Sequence, residues 1–499
     1  MAWLHGWAGL ALGWLVYAIA LSGTATVFKG ELGDWMRPEI VGRAGQVEAV
    51  AAALDYLAKA APASPDWYLS APNARSSATI ASYEAPRADG GRNYRLVALD
   101  PITGRPDGIR DTLGGEFLYR FHFELQLPYP WGRLLASAAG MMLLVTLISG
   151  IVTHRRIFAD FFTLRPGKGK RSWLDAHNVL GVVAMPFHLM IALTGVLSLV
   201  ALTLPWAASA RYGDDMARYV AEAAPGLVAP AATGRAAPPA DVRMMLRDAV
   251  SRFDGGTIGQ VAVIHPGDAA AVLRVTRSDG DQLAYGAATS TYAMATGRLV
   301  SFYAEDRPAK RTYDILYGLH MGRFTPVLAH WLYFLSGLAL SATIATGLIL
   351  WTQSRDPART GHRFVSRITV GIVAGMPLAI AAFLWANRLL SPTLAGRAEA
   401  EVSLFFLVLA AAVLYAVAMP PRRGWAWLMV LCGATWLMLP LASAIATGRG
   451  LFAGGALGGD RLFVAADLLF LVLGGAGIAI AVVTARHKPP APRRRRAAA

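Results

Sequence analysis

Six histidines of this 499-residue chain lie within long apolar runs, at their ends or shortly before them, where ionisable side chains are costly and usually functional. They are His5, His122, His154, His177, His188 and His320. Neutral imidazoles on facing helices are the ligands that a six-coordinate b-type haem requires. The positions form two tiers, one near each face of a membrane. The pattern therefore predicts haem and a path for electrons across the bilayer.

The spacing of these histidines indicates which of them pair. His5 and His177 each begin an apolar run and are each followed by a glycine four residues later. His122 and His320 each come shortly before an apolar run. We therefore expect His5 to lie near His177 at the inner face and His122 to lie near His320 at the outer face.

Two further histidines are rival ligands. His188 follows His177 by eleven residues, which puts both on one helix face about 16 Å apart and makes His188 the rival at the outer site. His154 is the rival at the inner site. Each histidine taken alone is more often an interfacial or hydrogen-bonded residue, and that interpretation stays open. Three nearby glycines are better explained by helix packing than by contact with a flat macrocycle: Gly9, Gly13 and Gly181.

The elements that must position these histidines are membrane helices. Hydrophobic residues make up 55% of the chain, charged residues only 16%, and the mean hydropathy is +0.42, whereas a soluble domain of this size needs more polar surface. A helix of about 20 apolar residues spans the hydrocarbon core of a bilayer. Eight such runs are predicted, over residues 3–28, 132–153, 174–204, 326–352, 366–389, 402–420, 424–446 and 461–485.

Basic residues indicate how the runs are threaded. They concentrate between runs two and three, between runs four and five, in the turn between runs six and seven, and in the C-terminal tail. With eight spans, these four segments share one side of the membrane, which the positive-inside rule identifies as the cytoplasm. Both termini are therefore predicted to be cytoplasmic.

Two large polar segments, 29–131 and 205–325, then fall on the opposite side. Each contains short strand-like runs and glycine turns, such as 95–100 followed by a turn at 101–104, and the run at 271–275. We expect a small α+β domain in each segment. The fold class is therefore a membrane all-α bundle of about eight helices with two external α+β domains.

The predicted domain boundaries follow from these assignments. They are 1–28 for the first span, 29–131 for the first external domain, 132–204 for spans two and three with their loop, 205–325 for the second external domain, 326–352 for the fourth span, 353–485 for a four-helix C-terminal membrane bundle, and 486–499 for a basic cytoplasmic tail.

The first four spans have the pattern of an internal duplication. Ser-Gly or Thr-Gly pairs and Thr-Gly-Arg turns recur at matching positions: Ser22-Gly23 with Thr194-Gly195, Ser149-Gly150 with Thr346-Gly347, and Thr103-Gly104-Arg105 with Thr296-Gly297-Arg298. Both units start on the cytoplasmic side, so the duplication is parallel and implies a pseudo-twofold axis along the membrane normal. Spans five to eight lack these histidines and form an appended helical bundle.

Several classes of cofactor and partner are not expected. The chain has one cysteine, Cys432, so it can form neither an internal disulfide nor a cysteine-based metal site. Gly-rich runs near 454–459 and 474–477 do not follow a strand, and we detect no flavin or nucleotide site. The net charge of +15 is assigned to cytoplasmic loops rather than to binding of nucleic acid.

Short motifs along about residues 1–355 are highly specific when taken together. They are Trp3-Leu4-His5-Gly6-Trp7, Phe121-His122, Ser149-Gly150 through His154-Arg155-Arg156, Phe161-Phe162-Thr163 with Arg165-Pro166-Gly167-Lys168-Gly169, Trp173-Leu174-Asp175-Ala176-His177-Asn178, Pro186-Phe187-His188-Leu189-Met190, and Leu319-His320 with Gly322-Arg323-Phe324. In these motifs the sequence resembles the PepSY-associated transmembrane family, which includes iron-regulated proteins and ferric-siderophore reductases of the bacterial inner membrane.

The resemblance implies PepSY-like α+β domains facing the periplasm and haem held by membrane histidines. Those ligands map first onto His5, His122, His177 and His320, with His154 and His188 as further candidates. Two b-type haems are expected. The family also implies a ferric chelate or siderophore as the external electron acceptor.

The main hypothesis is a haem-containing transmembrane oxidoreductase that takes electrons from a separate reductase or from quinol. Reduction would release the iron, because hard oxygen ligands hold iron(II) less well than iron(III). One alternative is a non-enzymatic membrane protein whose external domains bind a partner or whose histidines sense metal. Another is a transporter, although no span shows paired buried charges or a helix break at matching positions of both repeats.

Overall fold

The computed structural model describes residues 1–86, 92–153, 165, 167–286, 288–356, 360–454 and 459–486. The chain forms two compact units. The first comprises Met1–Gly347 with Pro392–Arg397, and the second comprises Leu348–Ser391 and the chain from Ala398 onward.

The first unit contains most of the helices and all of the strands. Its helices are α1 (Ala2–Ala11), α2 (Gly13–Thr26), α3 (Lys29–Trp35), α4 (Gln46–Ala60), α5 (Gly115–Glu124), α6 (Trp131–Thr153), α7 (Lys170–Val183), α8 (Met185–Ser198), α9 (Val200–Thr203), α10 (Trp206–Tyr212), α11 (Met216–Ala223), α12 (Val242–Ser251), α13 (Pro308–Met321) and most of α14 (Val327–Gln353). Its strands are β1 (Asp66–Ser70), β2 (Thr79–Pro86), β3 (Arg92–Leu99), β4 (Ile258–Ile264), β5 (Val272–Arg277), β6 (Ala288–Ala293) and β7 (Leu299–Ala304).

The long apolar helices coincide with the eight predicted spans. Six helices are long and apolar enough to cross a membrane: α6, α14, α15 (Thr360–Leu389), α16 (Arg397–Ala418), α17 (Pro421–Thr447) and α18 (Arg461–Arg486). Two more candidates are bent pairs, α1 with α2 and α7 with α8. The count among the described residues is therefore six spans, or eight if each bent pair is one span.

The two bent pairs break at equivalent positions of the repeat. The first bends by 68° and the second by 69°. The residues at the breaks, Leu12 and Ala184, have similar backbone angles (φ −121° and ψ 12°; φ −106° and ψ 17°). Gly13 and Pro186 follow them in the first turn of the next helix, where Pro has no N–H to donate to the preceding turn. The sequence interpretation that no matched break exists was therefore wrong.

The two external segments together form a single sheet. Its seven strands run in the order β3-β2-β1-β4-β5-β6-β7, and every neighbouring pair is antiparallel. The strand at 95–100 and the strand at 271–275 predicted from the sequence correspond to β3 and β5. Strands β1 and β4 join the segments, with Trp67 opposite Val263 and Leu69 opposite Val261. The sequence indicated two domains, and the structure merges them through this pairing.

Helices α4 and α12 cover the sheet and bury the same hydrophobic core. Leu54 and Leu57 of α4 lie in it with Met245 and Leu246 of α12. The Thr-Gly-Arg turns predicted from the sequence are present, because Gly104 and Gly297 have φ values of +69° and +71°. Each segment thus contributes a helix and its strands in the same order, which extends the duplication to the sheet.

The second unit is the appended bundle of α15–α18, and it has a buried polar network. The Arg388 guanidinium donates to the Asn387 and Ser443 side chains, and the Asn387 amide donates to Glu401. Asp467 accepts a hydrogen bond from the main chain of Leu451. Asn387 thus links Arg388, near the end of predicted span five, to Glu401, just before predicted span six, and this network was not predicted from the sequence.

The shared sheet makes a cross-linking prediction. Ser70 of β1 lies opposite Gln260 of β4, and both are exposed. A Ser70→Cys/Gln260→Cys variant should form a disulfide on mild oxidation, because directly opposed strand residues have the separation that a disulfide requires. Mass spectrometry should then recover one peptide containing both positions. Ser70→Cys/Ser301→Cys is the control, because β7 lies four strands from β1. Equal cross-linking in the two variants would contradict the shared sheet.

Candidate functional site

The structure brings four of the predicted histidines together in two pairs. The ring centroids of His5 and His177 are 6.2 Å apart, and those of His122 and His320 are 6.1 Å apart. We call His122 and His320 the sheet-side pair, since α5 and α13 connect directly to the sheet segments. His5 and His177 are the far-side pair. These are the pairs that the duplication predicts.

The separation within each pair suits two imidazoles on opposite sides of one metal ion. A metal–imidazole bond is about 2.0 Å long, and adding the distance to each ring centre puts the two centroids about 6 Å apart. Among the described residues, no group of three or more metal-ligating side chains is present, so the histidines converge only in twos.

Each ring of the two pairs is oriented by a hydrogen bond to a main-chain carbonyl. The Nδ1 atoms of His5 and His177 lie 2.9 Å from the carbonyl oxygens of Thr146 and Thr343. A carbonyl only accepts, so Nδ1 carries the proton and Nε2 keeps the lone pair that binds a metal.

The sheet-side pair is oriented in the same way. The Nδ1 atom of His122 donates to the carbonyl of Ile19 at 2.8 Å, and that of His320 donates to Ile191 at 3.1 Å. Carbonyl partners of this kind are typical of metal-ligating histidines, because they fix the tautomer and the ring orientation. The four side chains therefore fit iron held by paired imidazoles.

The Ser-Gly and Thr-Gly pairs provide the surface on which the rings rest. Each ring lies over the glycine four residues after its carbonyl partner. A Cβ built on Gly23 would be 2.6 Å from the His122 ring, and one on Gly195 would be 2.8 Å from the His320 ring. The equivalent distances for the far-side pair are 3.0 Å at Gly150 and 3.1 Å at Gly347.

The hydroxyl before each glycine bonds the same carbonyl that receives the ring. Ser149 donates to Thr146 at 3.0 Å, and Thr346 donates to Thr343 at 2.9 Å. Sequence reasoning used these small residues to find the duplication and missed that they receive the histidines. The recurrence of Ser/Thr-Gly beside every paired histidine was the available signal.

The electrostatic environment keeps the sheet-side pair uncharged. Burial lowers the pKa of His122, and its hydrogen bond to Ile19 opposes that shift. Burial also lowers the pKa of His320 to about 3; the neighbouring His122 adds to the effect, and the hydrogen bond to Ile191 opposes it. Both rings are therefore neutral at physiological pH, as coordination requires.

Among the described residues, His188 does not form a three-residue cluster with either pair. His188 is fully buried on α8, one turn before Ile191. His154 lies outside the described residues. The glycines near the far-side pair serve packing, because a Cβ on Gly9 or Gly181 would meet a threonine methyl at 3.6 or 3.7 Å.

Comparison with known proteins identifies the class of molecule. The profile of the PepSY-associated TM region matches residues 2–354. The chain therefore belongs to this family and is a multi-pass membrane protein. It is also similar to an uncharacterized protein of Pseudomonas aeruginosa, with 29% identity over 320 residues that cover 61% of this chain and 80% of that protein. The family match includes both histidine pairs and the whole sheet, and it ends before α15.

The contact between each sheet-side histidine ring and its glycine predicts the effect of adding one methyl group to that glycine. Gly23→Ala or Gly195→Ala should displace one sheet-side ring, and on the prediction from the sequence that the pair holds haem it should lower haem occupancy at that site at least about ten-fold, the usual effect of disturbing an orienting partner. The measurement is haem per chain in purified protein. Loss of helix stability is not the cause, because alanine favours a helix over glycine by about 1 kcal/mol.

Gly9→Ala and Gly181→Ala are matched controls on the same spans, since their added methyl groups meet only ordinary contacts. They should keep full occupancy. Full haem in the Gly23 and Gly195 variants would show that the rings do not rest on these glycines.

Proposed function

We propose that the chain is a haem-binding transmembrane oxidoreductase. Each histidine pair would hold the iron of one b-type haem, and electrons would cross the bacterial inner membrane to an acceptor on the sheet side. The observation that carries this proposal is the repeated geometry of the pairs. Two imidazoles about 6 Å apart, each with Nδ1 fixed by a carbonyl, occur on both sides of the bundle.

The residues of the chain would act mainly by orientation and exclusion of water. A haem with two imidazole ligands supplies one-electron chemistry at an iron that has no open coordination position. The paired rings would favour electron transfer over binding of small molecules, because two imidazoles of the chain would be committed to one iron. The rigid Nδ1 contacts would keep the ligand set unchanged between oxidation states. The apolar helices would isolate the two sites from water between the faces.

The proposed electron acceptor and electron donor follow from iron chemistry and from the predicted orientation of the chain in the membrane. By the positive-inside rule, the sheet would lie in the periplasm and both termini in the cytoplasm. A ferric chelate or siderophore there would release its iron on reduction, because oxygen ligands prefer iron(III). The sequence has no dinucleotide motif after a strand, so a separate reductase or quinol would deliver the electrons.

Transport is a second candidate function, favoured by the two helix breaks at equivalent positions. Broken helices at matching sites of a repeat are a feature of substrate sites in transporters. In this chain the breaks separate the segment that carries His5 or His177 from the segment that receives a sheet-side ring. They would therefore serve the histidine pairs directly. A purified protein without haem would favour transport.

Single alanine variants test the proposed ligand sets. His5→Ala and His177→Ala should each make the far-side haem high-spin or remove it, and the double variant should be no worse than either single one. His122→Ala and His320→Ala should act together on the other haem. Haem per chain and the reduced-minus-oxidised spectrum are the measurements. His265→Asn is the control, because His265 is in a turn with φ of +54° that asparagine tolerates.

His188→Ala and His154→Ala complete the series. We expect both variants to keep two low-spin haems. Retention of full haem in the His122 and His320 variants, with loss of one haem in the His188 variant, would contradict the sheet-side pair and put that haem on α8.

A further inference from the structure

Three tyrosines and two cations form one group of contacting side chains near the sheet-side pair, and we call this group the tyrosine chamber. It consists of Tyr119, Tyr285 and Tyr317 with Lys29 and Arg323. Tyr119 precedes His122 by three residues on α5, and Tyr317 precedes His320 by three on α13, so each tyrosine shares a helix face with its histidine. The chamber therefore adjoins the proposed haem on the sheet side.

The members of the chamber contact one another closely. The rings of Tyr285 and Tyr317 are 4.5 Å apart between centroids. The Lys29 ammonium is 4.3 Å from the centre of the Tyr119 ring, and the Arg323 guanidinium is 5.8 Å from that of Tyr285. Burial lowers the pKa of Lys29 and Arg323 lowers it further, while Glu116 opposes both. The two cations are therefore close enough to affect each other.

The chamber brings together two cations that can make charge-assisted hydrogen bonds. Arg323 has five N–H donors and Lys29 has three, and three phenol hydroxyls add more. The acids that contact the cations are Asp279, 3.1 Å from Arg323, and Glu116, which pairs with Lys29. Only one guanidinium nitrogen of Arg323 contacts Asp279 among the described residues. A guanidinium that contacts one carboxylate through a single nitrogen can donate to a second carboxylate, so the group suits a ligand that brings carboxylate oxygens.

The two cations do not follow the twofold repeat that the histidine positions follow. Lys29 belongs to the first repeat and Arg323 to the second, and they occupy different places in the two units. After α5 the chain continues with Leu125 and Gln126, so the first repeat has no cation where the second has Arg323. Two symmetric imidazoles alone would not fix the rotational orientation of a bound macrocycle. Charges on one side only would fix its orientation.

We propose that Arg323 and Lys29, helped by the tyrosine hydroxyls, bind the two propionate carboxylates of the sheet-side haem. This inference rests on the proposed function and deepens it, because it assigns the orientation of that haem to residues outside the ligand pairs. The propionates are the charged groups of the macrocycle, and each would accept charge-assisted hydrogen bonds in a mostly buried place. The cations would thereby also hold an anion close to the iron and set its redox potential.

Reconstitution with haem and with its dimethyl ester separates the propionates from the iron. The full-length chain is produced without haem in the His5→Ala background, which leaves the sheet-side pair as the complete ligand set. It is then titrated with each form. The parent should bind haem at least about ten-fold tighter than the ester, since the ester cannot accept charge-assisted bonds. Arg323→Gln/Lys29→Gln should bind both forms equally.

Matched variants isolate the charges. Arg120→Gln is the control, because Arg120 is an exposed cation on α5 that pairs with the same Glu116. It should keep the ten-fold preference. Arg323→Lys should retain part of it, because the charge remains. The midpoint potential of the iron should also differ between the double variant and the parent. This readout does not depend on turnover.

The outcomes separate the inference from the proposed function. Failure of the parent to bind haem would overturn both. Normal haem binding with no preference over the ester, or a preference retained by the double variant, would overturn only the propionate assignment. Loss of ferric citrate binding in the double variant, measured by equilibrium dialysis with haem preference intact, would also overturn it and assign the cations to the acceptor.

Discussion

The arrangement of the site depends on a hydrogen bond between a histidine ring and a carbonyl inside a facing helix. This contact is possible only where the helix surface carries no side chain, because the ring must lie against the main chain to reach the oxygen. A glycine four residues after the carbonyl supplies that bare surface at all four places. The neighbouring serine or threonine shares the carbonyl and is small enough to leave room. Substituting any larger residue for the glycine would separate the ring from its partner.

The bent helix pairs explain how one repeat can contribute to both faces. The segment before each break carries a far-side histidine, and the segment after it carries the glycine that receives a sheet-side ring. The far-side rings in turn contact α6 and α14, near the C-terminal ends of these two helices. Each half of the molecule therefore supplies one ligand and one supporting surface to each pair. Neither pair can form from a single repeat.

Much of this organisation follows from local sequence pattern. Span positions depend on runs of apolar residues, so 132–153 and 461–485 agree with α6 and α18 to within a residue or two. The pairing of His5 with His177 follows from the repeat, because equivalent positions meet across a twofold axis. The Thr-Gly-Arg turns were also predictable, since glycine is needed at positive φ.

Other features depend on contacts that no local pattern encodes. The union of the two external segments rests on Trp67 and Leu69 pairing with residues of β4 that lie far away in the sequence. The bends occur at Leu12 and Ala184, which are ordinary helix residues, and the breaking residues Gly13 and Pro186 come after them. The buried network around Arg388 joins several helices, and its members lie at span ends where charges usually face water.

The most direct test of the account is the number and spin state of haems in the unmodified protein. The purified chain should contain two b-type haems by pyridine haemochrome, and electron paramagnetic resonance should show both irons low-spin with paired imidazole ligands. One haem per chain, or a high-spin iron at full occupancy, would contradict the central claim that each histidine pair is a complete ligand set.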